Sequence, residues 1–224
     1  MKKCLTGFVL LFAGFLLLSG SALGASDWQG VYRELIETRE YNAFLRAGNP
    51  EYAQMLYDRD PSWDSFTVYD LNQDGTPELL IRIDYAIEQI DVFSCESGQA
   101  HWVGTMGGDN FFQSVLCYDR AGIPGRLITL EGGPMMKIAE YQIGNAGLIK
   151  RKIGCTRVDW DSEETIGIEM YEYDSSLEAL LTASLVSGQD QAEHLIWHGW
   201  KDLTSGTGSS WNALFSQERQ SGAW

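Results

Sequence analysis

Asp70, Asn72, Asp74, Thr76 and Glu78 lie in the one stretch of the sequence whose residue types and spacing specify a chemistry. In Asp70-Leu71-Asn72-Gln73-Asp74-Gly75-Thr76-Pro77-Glu78, oxygen-bearing side chains occupy positions 1, 3, 5 and 9 around a glycine at position 6. Ca2+ takes about 6–8 oxygen ligands at ~2.3–2.6 Å in a flexible geometry. A tightly curled chain supplies them by turning alternate side chains inward, as Asp70, Asn72 and Asp74 would. The backbone carbonyl of Thr76 is the expected main-chain ligand, and Glu78 would close the site directly or through a water. Gly75 permits the sharp turn because it has no Cβ. The plainer reading is an Asx-rich turn without metal, since Asn, Asp and Gly dominate turns. The ligand positions taken together with the glycine favour the cation loop, with Ca2+ as the expected cofactor.

The loop departs from an EF-hand, which has a bidentate Glu at position 12. That position is Ile81, inside the apolar run Leu79-Leu80-Ile81. Pro77 lacks an N–H and suits the first residue of a strand. The expected unit is therefore strand, cation loop, strand, with Phe66 to Tyr69 leading in and Leu79 to Ile83 leading out.

Tyr69 to Ile81 resembles the calcium loop of FG-GAP/VCBS-type repeats, found in integrin-like β-propellers and in many bacterial extracellular proteins. More closely, the layout resembles secreted proteins of gut Firmicutes with a signal peptide, a short helical region beginning near a Trp, one D-x-N-x-D-G-x-P-E-L loop and then β-hairpins. The resemblance covers the general layout, but only the loop is specific. It implies a β-rich extracellular domain and no particular activity.

Several elements must position that loop. Residues 1–25 read as a signal peptide: the basic start Lys2-Lys3, an apolar stretch from Leu5 to Leu18, and small residues up to Ala25. The apolar stretch is shorter than the roughly 20 residues a spanning helix needs, so no membrane span is expected in the mature chain. Cys4 precedes the apolar stretch and is not a lipobox cysteine, so the chain is expected to be secreted or extracellular. Residues 26–224 are expected to form a single β-rich domain, with 26–60 as a helical unit packed on the sheet. Trp28, Val31, Tyr32, Leu35 and Ile36 recur at helical spacing and predict a helix from Asp27 to about Leu45, with a second short one over Glu51 to Tyr57.

From Phe66 onward the pattern is β. The predicted strands are Phe66–Tyr69, Glu78–Ile83, Gln89–Ser94, His101–Thr105, Phe112–Tyr118, Arg126–Leu130, Lys137–Ile143, Leu148–Ile153 and Thr165–Tyr173, separated by Gly-rich turns. The fold class is mainly β with an N-terminal helical segment: an antiparallel β-meander, either an open twisted sheet or partial-propeller-like. Tyr118 to Ile128 echoes Tyr69 to Ile81 without the ligands, at an offset of about 47 residues, near a propeller-blade repeat. A chance recurrence of G-x-P turns is the plainer reading. Short helices are expected over Gln191–Trp200 and Ser210–Glu218.

The formal net charge is −15, and removal of Lys2 and Lys3 makes the chain more acidic still. Phosphate repels such a surface, so nucleic acid is excluded as a partner. Cys95, Cys117 and Cys155 remain after the signal segment. An odd number allows at most one internal pair, and buried thiols without a disulfide are expected.

Weaker constellations carry less. His194 and His198 would share a helix face, but the H-E-x-x-H order of zinc proteases is absent. The tryptophans are scattered and read as core; a sugar platform would best sit at Trp197, Trp200 or Trp211. Asp159/Asp161 and Glu163/Glu164 read as solvated acids rather than glycosidase carboxylates. No G-x-S-x-G elbow, P-loop or dinucleotide fingerprint occurs. The expected function is a calcium-binding, non-catalytic binding or surface-interaction module for an extracellular ligand, glycan or protein. The alternative is a secreted hydrolase acting on glycan or peptide.

Overall fold

The structure is a computed structural model. It describes residues 27–48, 59–84, 88–107, 114–119, 125–132, 135–159, 161, 164–171, 175–185, 195–206 and 208–216. The signal segment and the helix expected over Glu51–Tyr57 lie outside the described residues.

Helix α1 (Trp28–Thr38) starts where the Asp27 side chain accepts the Gly30 N–H at 3.0 Å, satisfying one of the first-turn donors. It buries Trp28, Tyr32, Leu35 and Ile36. The single helix expected to run on to Leu45 is broken instead at Arg39. That residue adopts a left-handed conformation (φ 59°), and its N–H bonds the Ile36 carbonyl. The chain restarts as α2 (Tyr41–Gly48). The strain at Arg39, on the order of 1–2 kcal/mol for a residue with a Cβ, is offset by what the bend delivers. Tyr41 becomes fully buried, with its hydroxyl donating to Asp64 Oδ2 at 2.6 Å.

A 3-10 turn (Pro61–Trp63) leads into four consecutive antiparallel strands: β1 (Asp64–Tyr69), β2 (Glu78–Asp84), β3 (Glu88–Glu96) and β4 (Gln99–Gly107). The β3–β4 hairpin turns on Ser97-Gly98, both at positive φ, as a tight two-residue hairpin requires. A second meander follows: β5 (Ser114–Asp119), β6 (Leu127–Gly132), β7 (Lys137–Gly144), β8 (Gly147–Asp159) and β9 (Glu164–Met170). Helix α3 (Ser175–Leu185) comes next, then β10 (His198–Gly199), α4 (Trp200–Thr204) and α5 (Gly208–Ser216). Strand β10 returns to pair with β1, Phe66 opposite His198. The result is two five-stranded antiparallel sheets, ordered β10-β1-β2-β3-β4 and β5-β6-β7-β8-β9.

The mainly β class and the antiparallel meander hold, with the strands divided between two sheets. Alternation along each strand explains how they stack. Phe66, Val68, Leu79, Ile81, Ile83 and Phe93 face α1, α2, α4 and α5. The opposite face, with Leu80, Ile90, Val92 and Met106, meets Leu127, Ala139 and Tyr141 of the second sheet. The far side of the second sheet, Ile128, Leu130, Ile138, Ile153 and Ile168, is covered by Leu177 and Leu181 of α3. The order of layers is helices, sheet, sheet, helix. Each large side chain buried in these layers contributes roughly 1.5–3 kcal/mol.

One expectation for the later chain is corrected. Residues 195–197 are irregular and His198–Gly199 is a strand, so no helix runs to Trp200. Pairing with β1 overrides helical propensity there. The final helix spans Gly208–Ser216, slightly ahead of the expected Ser210 start.

Candidate cation loop

Of the five expected ligand residues, Asp70, Asn72, Asp74 and Thr76 occupy the β1–β2 connection and Glu78 is the first residue of β2. Both strands are internal to the first sheet, and Tyr69 pairs with Glu78 across the mouth of the loop. Side chains organise the loop from within. Asp70 Oδ1 accepts the Asp74 N–H at 3.2 Å, and its Oδ2 accepts the Gly75 N–H at 3.1 Å. Asn72 Oδ1 accepts the Asp74 N–H at 2.9 Å, and Asp74 Oδ1 accepts the Thr76 N–H at 2.7 Å. The Asn72 amide donates to Asp74 Oδ2 at 3.0 Å. Gln73 and Gly75 take positive φ, 61° and 84°, which makes the chain curl.

Glu78 behaves differently from the rest. It is 1% exposed, and its Oε2 accepts the Leu71 N–H at 2.7 Å. Burial pushes its carboxyl up to about 8; the Leu71 N–H offsets part of this, and the carboxylates of Asp74 and Asp70 add to it. Among the described residues no ion pair reaches Glu78. Asp70, Asn72 and Asp74 therefore gather at the half-exposed to exposed tip, while Glu78 closes the base of the loop. Among the described residues no three His, Cys, Asp or Glu side chains draw together closely enough to hold a metal ion by themselves. The donor set is nonetheless all oxygen, supplied by carboxylates and an amide. This is the chemistry a hard cation takes and a soft one does not.

The loop reaches the second sheet. Leu71 is buried with Leu80, Leu127 and Tyr141. Gly125 (φ 74°), just ahead of β6, lies so close that a Cβ there would come within 2.5 Å of the Gln73 amide nitrogen. The two segments that echo one another in sequence each join the first two strands of a sheet, and they meet in space. Residues 120–124 of the echo lie outside the described residues.

A cavity of about 260 Å3 lies beside the loop. Its walls come from the loop at Asn72, from the β3–β4 hairpin at Ser94, Glu96 and His101, and from the β7–β8 turn at Asn145. Spacing along the chain could not reveal it, because three separate elements build it.

Among the buried polar clusters that sequence reading missed, two lie at the first sheet. Asp91 is fully buried and accepts from the Gln89 amide (2.7 Å), the Trp102 indole N–H (3.1 Å) and the Thr105 hydroxyl (2.5 Å). The Arg59 guanidinium grips Asp64 in a bidentate pair at 2.8 and 2.7 Å, and also donates to Asn42 Oδ1 at 2.9 Å. The available signal was Asp91 and Gln89 sharing the strand face of Phe93.

His198 sits in β10, so it has no helix face to share, and His194 lies outside the described residues. Trp211 is buried and stacked on Phe215. Trp197 is half-buried with the Arg82 guanidinium 6.0 Å from its ring, and Trp200 packs on the core under the helices. Among the described residues the exposed indoles are instead Trp63 and Trp102. Asp159 accepts the Asp161 N–H in an exposed turn. Cys95 and Cys155 are half-buried in strands and neither is in a disulfide. Among the described residues no helix is long and apolar enough to cross a membrane. No protein-family model, curated protein or solved structure matches the chain.

Proposed function

We propose that the chain is an exported, calcium-binding β domain that acts as a non-catalytic binding or surface-interaction module. One observation carries this reading: four residues with ligand-type oxygens fill the connection between two internal strands, Glu78 follows as the first residue of β2, and the carboxylates are held by backbone N–H groups of the loop itself. Asp70, Asn72 and Asp74 would hold Ca2+ through side-chain oxygens, Thr76 through its carbonyl, and Glu78 directly or through a water. A bound dication would neutralise the loop's acidity and stiffen the junction between the sheets.

Export rests on the N-terminal pattern of residues 1–25. Extracellular calcium modules work at a Kd of about 10⁻⁴–10⁻³ M, so a modest site suffices outside a cell. The test is calorimetric titration of the full chain with CaCl2 after chelator treatment, with MgCl2 as comparison. One calcium per chain, lost in Asp74→Ala, is the expected result. Absence of calcium binding to the folded protein would sink the reading.

A further inference from the structure

We propose that the cavity between the β3–β4 hairpin and the β7–β8 turn binds an uncharged sugar ring. The inference rests on the binding-module reading and names its ligand class.

The walls combine both hydrogen-bonding senses in a small space. Asn72 and Asn145 bring amides, Ser94 a hydroxyl, His101 an imidazole and Glu96 a carboxylate. Ser94 and His101 are paired directly across β3 and β4, so their side chains leave the same face of the sheet. Val103 and Ile143 add an apolar wall. A ring carrying several hydroxyls and an apolar C–H face matches this mixture. An apolar ligand would leave the Asn145 amide and the His101 imidazole without partners, at the cost of their desolvation.

Size and charge narrow the class. A volume of about 260 Å3 falls just under the roughly 300–1,000 Å3 of drug-sized sites, so one ring fits and an oligosaccharide would have to project outward. The net charge of −15 and Glu96 at the wall disfavour sialic acids, uronic acids and sulfated sugars. A lysine or arginine side chain would suit Glu96 but would leave the amide donor of Asn145 unmatched.

The walls are rigid where it matters. The β7–β8 turn is pressed against β4, since a Cβ on Gly147 would come within 3.0 Å of the Val103 carbonyl oxygen. Asn72 belongs to the cation loop and is fixed there by its bonds to Asp74. The cleft is therefore largely formed before any ligand arrives.

The experiment is saturation-transfer NMR on the full chain in calcium buffer, with methyl glycosides of glucose, galactose, mannose and N-acetylglucosamine as probes and an oligolysine peptide as competitor. At least one glycoside should show transfer to its ring protons. His101→Ala and Asn145→Ala, both at exposed positions, should each weaken that glycoside about fivefold or more, the value of one lost hydrogen bond, with melting unchanged. Transfer to none of the four glycosides, transfer indifferent to both variants, or binding only of the peptide would each overturn the inference. The calcium reading is scored separately. Calcium heat without sugar transfer removes the cleft proposal alone. Variant-sensitive sugar transfer in a chain that binds no calcium upholds the cleft and removes the loop.

Discussion

The Tyr32 hydroxyl lies 2.9 Å from the Pro77 carbonyl oxygen and 3.2 Å from that of Phe93. One phenol thus joins α1 to the exit of the β1–β2 loop and to the neighbouring strand. Burial raises its pKa well above the ordinary tyrosine range, and the Glu78 carboxylate adds to the effect, so it stays a protonated donor. Tyr32→Phe would leave buried carbonyls short of a donor, at about 1–3 kcal/mol. The melting temperature should fall by roughly 2–4 °C per kcal/mol for a chain of this size. Calorimetry showing an unchanged transition would mean that the two carbonyls are satisfied without the phenol.

The Arg59–Asp64 pair is a second tie between the N-terminal segment and the sheet. Both side chains are buried, and Tyr41 and Asn42 complete the cluster. Burial of Asp64 outweighs its attraction to Arg59, so its carboxyl is raised above the ordinary value. Removing the guanidinium alone leaves a buried, uncompensated carboxylate. Arg59→Ala should cost about 3–5 kcal/mol, read as a lower urea midpoint with the slope preserved. A loss under 1 kcal/mol would place the pair in effectively solvated surroundings.

Strands β1 to β9 were legible because alternation and Gly-rich turns are local signals. Strand β10 was not: two residues cannot carry a period, and its pairing with Phe66 is a tertiary fact. Helix α3 was missed because its sequence, Ser-Ser-Leu-Glu-Ala-Leu-Leu, is apolar on several sides and has no clear stripe; Leu177 and Leu181 commit it to the sheet. The break at Arg39 was hidden because its αL turn uses no glycine. The turn over residues 70–76 was legible from local spacing, since the side chains that organise it lie within a few residues of one another. Asp91 and the cleft were not, since their partners come from other strands and turns.

Calcium should raise stability through the loop. A ligand that binds only the folded state adds about 2.7 kcal/mol at a hundredfold excess over Kd, or roughly 5–10 °C for a domain of this size. EDTA and Asp74→Ala should each abolish the gain, and the two should not add. Gly75→Ala separates strain from ligation. A Cβ at Gly75 meets nothing within 4 Å, but φ is +84°, so the variant should lose about 1–2 kcal/mol of stability yet retain the calcium increment. A calcium gain that survives Asp74→Ala would move the site elsewhere.

Asp91 supplies the clearest pH dependence. Burial raises its carboxyl; the Thr105 hydroxyl, the Gln89 amide and the Trp102 indole act in the opposite direction, as does Arg59, but burial prevails. The folded state therefore holds this proton to a higher pH than the unfolded chain, where an aspartate titrates near about 3.9. Between those two values the folded form binds more protons, so the contribution of Asp91 to stability falls as pH rises, by at most about 1.4 kcal/mol per pH unit. Asp91→Asn has nearly the same shape and no ionisation. Its stability relative to the wild type should improve steadily from pH 4 upward, and the difference should level off once the folded-state pKa is passed. Urea denaturation of both proteins across pH 4 to 8 measures this directly. A difference that is flat over the whole range would mean that the Asp91 carboxyl titrates alike in the folded and unfolded chains, with its three donors fully offsetting its burial.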